Sequence, residues 1–320
     1  MSHAIERDAD GRYLMAYSGL TPWHGLGKKI LPDLTPEQML KEAGLDWEVE
    51  KVPAFIEYNG EKILTGQEAL MRKSDGKFLS NVSADWEPNQ NSTAFEFFEE
   101  FVMEGGMEMH TAGSLNEGRM VWALAKVKDS FTVFGKDKVD SYLLFSNPHQ
   151  YGKSIDIRFT PIRVVCNNTL TLSLSGKTDL MVRLNHRHPF DATKVKETLG
   201  MAQQKLGTYK EMAQFLGSKR YTEDTLNEFL SKVFPSNSKS KLEAKKLSRP
   251  AQIAHDIVET SPGNEFAPGT YWQAFNAATY GIDHLFGHSD NNRLYSSWYG
   301  VNRKKKLDAL ELACEMADAA

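Results

Sequence analysis

The chain has 320 residues, 41% of them apolar and 25% charged, with a formal net charge of −4. That is the make-up of an ordinary globular protein, long enough for one large core or two smaller ones. No apolar run approaches the roughly 18 residues that cross a bilayer. The opening MSHAIERDADGRYL lacks the apolar stretch of a secretory leader, and two cysteines, Cys166 and Cys314, are too few for a disulfide framework or a thiolate zinc site. A cytoplasmic protein without membrane association is expected.

The charge is unevenly spread. Residues 1–110 carry 10 Lys/Arg against 20 Asp/Glu, whereas residues 151–250 carry 18 against 9. An acidic beginning joined to a basic middle suits a charge-matched contact between subunits or a polyanion-binding face. Scattered solvated charge is the plainer alternative.

Thr35-Pro36-Glu37-Gln38 predicts a helix start, with an N-cap, Pro at the first helical position and Gln at the third. Gly44 suits the left-handed stop. Val52–Tyr58 and Glu61–Leu64 flank Asn59-Gly60, a strong hairpin signal, and Asp75-Gly76 leads into a further strand. Thr93 with Glu96 predicts a capping box for a short helix carrying Phe95, Phe98 and Val102.

From Met107 to Leu184 the pattern is mostly strands. Ile155, Ile157 and Phe159 alternate with polar residues, after which the apolar parity shifts to Ile162, Val164 and Cys166, so a bulge at Pro161 is expected. Asp191 suits the cap of a long helix in which Val195, Leu199, Ala202, Leu206, Tyr209, Ala213 and Leu216 recur at spacings of four and three. Further helices are predicted from Thr222, over Thr270–Phe286 and from Asn302. Residues 235–250, with five basic residues against one Glu, read as a basic loop.

Strands before 185 and helices after 190 define an α+β fold: a curved antiparallel sheet over about residues 50–185, packed by C-terminal helices. Three parts follow: an N-terminal segment with a short helix (1–50), the sheet core (50–188) and a helical part with the basic loop (189–320).

The chemistry is sparse. Gly25-Leu26-Gly27-Lys28-Lys29 lacks P-loop spacing, Gly105-Gly106 does not open a dinucleotide-type helix, and no GxSxG elbow occurs. His284 and His288 with Asp283 and Asp290, or His186 with His188, have ligand chemistry but nothing that joins them, so neither a metal nor another cofactor is expected. Cys166, with His149 and Arg163 near it in sequence, has the elements of an activated thiolate. Its place on the apolar parity of Ile162 and Val164 favours a buried, unreactive thiol. A polar site is drawn from Trp23, His24, His149, Cys166 and Asn167, and no catalytic residue is assigned. Arg158, Arg163, Arg183 and Arg187, with Lys239, Lys241, Lys245 and Lys246 of the basic loop, are candidate nucleic-acid contacts. Tyr142, Phe145 and Tyr151 lie near them in sequence. Cations follow phosphates, and aromatic faces stack unpaired bases.

Trp23-His24-Gly25-Leu26-Gly27, AGSLNEGRMVWALAKV, the SNPHQYGKS turn and PIRVVCNNTL together resemble a family found mostly in phages and plasmids, catalogued as domain of unknown function 932. PIRVVCNNTL is the most specific of these. Where that family's pattern leads one to expect His-Asp-Gly, this chain reads His149-Gln150-Tyr151-Gly152, which removes a carboxylate from the turn. The resemblance implies a setting of phage or plasmid DNA metabolism, and the architecture is analogous to that of phage single-strand annealing proteins. The expected function is single-stranded DNA binding, as an annealing or recombination accessory and a candidate homo-oligomer. An enzyme acting on nucleic acid or nucleotides, or a counter-defence protein that meets a host partner, are the alternatives.

Overall fold

The computed structural model describes residues 4–19, 22, 25–103, 106–128, 130–163, 168–169, 173–174, 178–179, 181–187, 207, 209–236, 247–287 and 293–320, with backbone alone at residue 100 and over residues 161–181. Near the N-terminus, β1 (Met15–Tyr17) and β2 (Lys28–Lys29) precede α1 (Pro36–Glu42). The α1 cap forms as its sequence predicts: Gln38 N–H donates to Thr35 Oγ1 at 3.2 Å and Thr35 N–H to Gln38 Oε1 at 2.9 Å. Met39 and Leu40 turn inward, and α1 packs on α2 (Asn91–Met103). That second helix begins at Asn91, so Thr93 lies inside its first turn and not at its cap.

Strands β3 (Val49–Tyr58), β4 (Glu61–Arg72) and β5 (Lys77–Val82) form a separate three-stranded antiparallel sheet. This corrects the expectation of a single sheet from residue 50: α2 follows β5 and carries the chain into another layer before the main sheet resumes. Asn59 and Gly60 both take positive φ, +52° and +82°, as a tight two-residue hairpin turn requires. Because β5 pairs with β4 only over Glu68–Arg72, the β3–β4 hairpin continues beyond it as a two-stranded ribbon. Phe55, Ile56, Tyr58, Ile63 and Leu64 are exposed along it.

Among the described residues the main sheet has nine strands: β1, β2, β6 (Met107–Leu115), β7 (Met120–Val127), β8 (Phe131–Val133), β9 (Asp137–Pro148), β10 (Ile155–Arg163), β11 (Asn168–Thr169) and β14 (Met181–Leu184). Short β12 (Ser173–Leu174) and β13 (Thr178–Asp179) pair with each other. The sheet is open and runs β11-β10-β9-β7-β6-β1-β2, with β14 beside β10 and β8 beside β9. Among the described pairings only β1–β2 is parallel. The sheet therefore starts at residue 15, earlier than expected. At Gly113 a Cβ would lie 3.1 Å from both the Leu14 carbonyl oxygen and Trp122 Cζ2, so a side chain there would push β1 or the indole back by a few tenths of an ångström.

The expected bulge at Pro161 is absent. The β10–β9 register advances one for one from Asp156↔Ser146 to Arg163↔Val139. On its other edge β10 pairs with β14 up to Arg158 and with β11 from Ile162, so Pro161, which has no N–H to give, falls between the two ladders.

β7 and β9 are buried on both faces. Val121, Ala123, Ala125, Leu143 and Phe145 face the main core, where Phe97 and Phe98 of α2 meet Phe145 at ring separations of 5.4 and 6.0 Å. Trp122, Leu124, Tyr142 and Leu144 face the other way, onto Met15 and onto Leu294 and Trp298 of a C-terminal helix. The helical part comprises α3 (residues 209–218), α4 (Glu223–Val233), α5 (Arg249–Asp256), α6 (Tyr271–Tyr280) with a π-turn over Gly281–Leu285, α7 (Arg293–Tyr299) and α8 (Val301–Asp318). Of the predicted seam before residue 217, Tyr209, Ala213 and Leu216 are buried; the earlier positions lie outside the described residues. The end of the expected basic loop is instead the start of α5: Ser248 Oγ accepts from Ala251 N–H at 3.3 Å, and Pro250 occupies the first turn. The chain is thus an α+β protein whose mostly antiparallel, open sheet is packed by C-terminal helices.

Candidate functional site

Two polar groupings lie on opposite faces of the sheet. The first forms where β9 runs out into Asn147-Pro148-His149. Asn91, at the start of α2, donates through Nδ2 to the Leu45 carbonyl at 3.0 Å, which turns its Oδ1 toward β9. That oxygen accepts from Asn147 Nδ2 at 3.2 Å and from His149 Nε2 at 2.9 Å. Asn147 Nδ2 also reaches the Asn89 carbonyl at 2.8 Å. Since Asn91 Oδ1 is an acceptor, His149 carries its proton on Nε2, and Nδ1 is left as a buried lone pair without a partner.

His186 repeats this arrangement. Its Nδ1–H donates to the Glu87 carbonyl at 3.1 Å, its ring stacks on Trp86 at 4.1 Å, and its buried Nε2 has no partner. Burial, reinforced by His186 and Arg72, holds the His149 pKa down to about 3. Burial lowers His186 to about 4 against the opposing pull of its bond to Glu87. Both rings are neutral acceptors at physiological pH.

Above this network the sheet end is basic and aromatic. Pairing of Ile155 with Leu184 and of Asp156 with Arg183 brings the 150–154 turn beside residues 184–187. Tyr151 is 58% exposed, with its backbone N–H on Ser80 Oγ at 3.2 Å, and Phe78 lies exposed two residues along β5. Lys153, in that turn, and Arg183 and Arg187, on the segment paired beside β10, are exposed. Arg187 meets Asp85 at 3.1 Å, a solvated pair that leaves the guanidinium accessible.

The second grouping lies beneath α7 and α8. Arg158 is 2% exposed, with Nε 3.2 Å from Asp156 Oδ1 and its guanidinium carbon 5.1 Å from the centre of the Tyr299 ring. Tyr299 shares a hydrogen bond with Ser146 at 2.5 Å, and burial raises its pKa. Nearby, Lys306 donates to both Asp283 oxygens at 2.8 and 3.1 Å, and Ser297 Oγ donates to Asp283 at 2.9 Å. Farther along the same face Lys126 pairs with Asp140 at 2.8 Å, and the His110 ring meets Tyr142 edge-on at 5.1 Å. Burial, with Lys126 adding to it and Asp140 opposing, lowers His110 to about 4.

The sequence-predicted residues fall unequally. Arg183 and Arg187 are surface cations, as a phosphate contact requires. Arg158 is corrected from a surface cation to an interior charge, because its alternation places it on the face covered by α7. Tyr142 and Phe145 are likewise core residues, unavailable as stacking surfaces. His149 belongs to the Asn91 network. Arg163 is placed by its backbone, opposite Val139 and Asn168. Trp23, His24, Cys166, Asn167, Lys239, Lys241, Lys245 and Lys246 lie outside the described residues, as do His188, His288 and Asp290. Among the described residues no three His, Cys, Asp or Glu side chains are placed to hold a metal. Asn91 and Tyr299 were not anticipated, and Lys306, which reads in sequence as the end of a basic run from Arg303, is buried on Asp283. The asparagine density of Asn89-Gln90-Asn91 was the one available signal.

The family model described as domain of unknown function (DUF932) matches residues 78–298, well over half of the chain, and the protein belongs to that family. The match takes in Asn91, His149, Arg158, Arg183, His186 and Trp298. No curated protein and no solved structure matches the chain. Among the described residues no helix is long and apolar enough to cross a membrane.

Proposed function

We propose that the protein binds single-stranded nucleic acid at the sheet end, in the DNA metabolism of a phage or plasmid. The observation that carries this reading is that the adjoining turn and strands at the sheet end carry exposed Lys153, Arg183 and Arg187 together with exposed Tyr151 and Phe78. Cations follow a backbone while aromatic faces stack splayed bases, without a fixed sequence. The sequence surplus of basic residues in 151–250, which includes Lys239, Lys241, Lys245 and Lys246, is consistent with a polyanion partner.

Titration of labelled oligo(dT) and of a duplex across a chloride series tests the reading. Single-strand affinity should fall with salt by a slope of about −0.7 per phosphate contact. Replacing Lys153 and Arg187 with Ala should flatten the slope by about one contact each and leave the unfolding midpoint unchanged. Absence of binding to either form at low salt would remove the proposal.

A further inference from the structure

Three lysine or arginine side chains are buried among the described residues: Arg72, Arg158 and Lys306. Two of them are fully engaged. Arg72 bonds Glu6 and, through two nitrogens, Asp75, while Lys306 bonds both oxygens of Asp283. Arg158 differs. Its Nε approaches Asp156 without hydrogen-bond geometry, and neither Nε nor Nη2 has a hydrogen-bond partner. A buried guanidinium with open donors is costly, and native interiors supply an acceptor in such places.

The local charge points the same way. Lys306 senses both Arg158 and Arg303 as like charges. An anionic group would fill the open side of the guanidinium fork.

We propose that Arg158 anchors a buried site for one anionic group, a phosphate or a carboxylate, between β10 and α7. The planar fork suits both groups, since each offers two coplanar oxygens. Tyr299 covers one face of the guanidinium. The site is separate from the strand-binding rim, because Arg158 is covered by α7 whereas Lys153 and Arg187 stand in solvent.

Calorimetric titration and thermal unfolding of the full chain in chloride buffer test this, with inorganic phosphate, acetate and dTMP as probes. Saturable binding near one equivalent with a raised unfolding midpoint is expected. Phosphate against acetate sets the group, and dTMP tells a bare ion from a nucleotide. Arg158→Met should abolish binding, and Arg158→Lys, a point charge without the fork, should weaken it about tenfold. The double variant Lys153→Ala/Arg187→Ala should leave it unchanged. Should Arg158→Met fail to fold, Arg158→Lys with a native near-ultraviolet spectrum decides the matter. In wild-type protein the ³¹P line of phosphate should broaden and saturate. Absence of saturable binding by all three probes, or binding that survives loss of the fork, overturns the proposal, whatever the oligonucleotide titration shows.

Discussion

His149 and Asn91 share a 2.9 Å hydrogen bond that ties the end of β9 to the first residue of α2. The same Asn91 amide holds the Leu45 carbonyl and receives Asn147, so one side chain joins three segments that are distant in sequence. Asn91→Ala strips partners from a buried imidazole and a buried carbonyl at once. Urea unfolding should show a loss of about 3 kcal/mol, the sum of two or three orphaned groups.

Stability should depend on acid through two buried histidines, His149 and His186, and the half-buried His110. Folded pKa values near 3 for His149 and near 4 for His110 and His186 lie below the ordinary value of 6.5. The unfolded chain therefore binds more protons as pH falls below 6.5, and the stability present above that pH is lost progressively down to the folded values. Each histidine steepens the fall by about 1.4 kcal/mol per pH unit. Urea midpoints should be flat from pH 7 to 8 and drop steeply between pH 6 and 4.5. His110→Gln should make that drop shallower.

Two ion pairs offer a contrast. Glu6 and Arg72 meet at 2.8 Å with both side chains buried, whereas Lys73 and Glu48 meet at 2.7 Å in solvent. Glu6→Ala removes one of the two carboxylates that hold the buried Arg72 guanidinium, leaves Nη1 without its acceptor, and should cost about 3 kcal/mol. Lys73→Ala should cost less than about 0.5 kcal/mol. Equal losses in chemical denaturation would contradict the burial of the first pair.

Gly113→Ala should destabilise the main sheet by about 1–3 kcal/mol, since the added methyl meets the Trp122 ring and the Leu14 carbonyl. Near-ultraviolet dichroism should report a displaced Trp122, while the far-ultraviolet spectrum stays unchanged.

What the sequence disclosed follows from range. Thr35 and Gln38, Asn59 and Gly60, and Thr222 before α4 act over three or four residues, and each does locally what its chemistry predicts. The α+β division was legible because alternation and helical spacing occupy different stretches. The pairing of β1 with β6 depends on residues almost a hundred positions apart, and no local pattern encodes it. Arg158 shows the limit most clearly. Its alternation with Ile157 and Phe159 marks a half-buried strand, but only the arrival of α7 from far along the chain makes the polar face an interior. The Asn91–His149 contact is hidden for the same reason.

The β3–β4 ribbon gives the molecule two clocks. From residue 55 to 67 every residue is exposed, so the ribbon's cross-strand bonds have water on both sides and no core behind them. An isolated pair of strands is marginally stable, so these amides should exchange with deuterium through the ribbon's own fraying. Amides of β7 and β9, covered on both faces, should exchange only when the whole protein opens. A ligand seated at the sheet end would slow the second clock and leave the first untouched, while a partner gripping the ribbon would do the reverse.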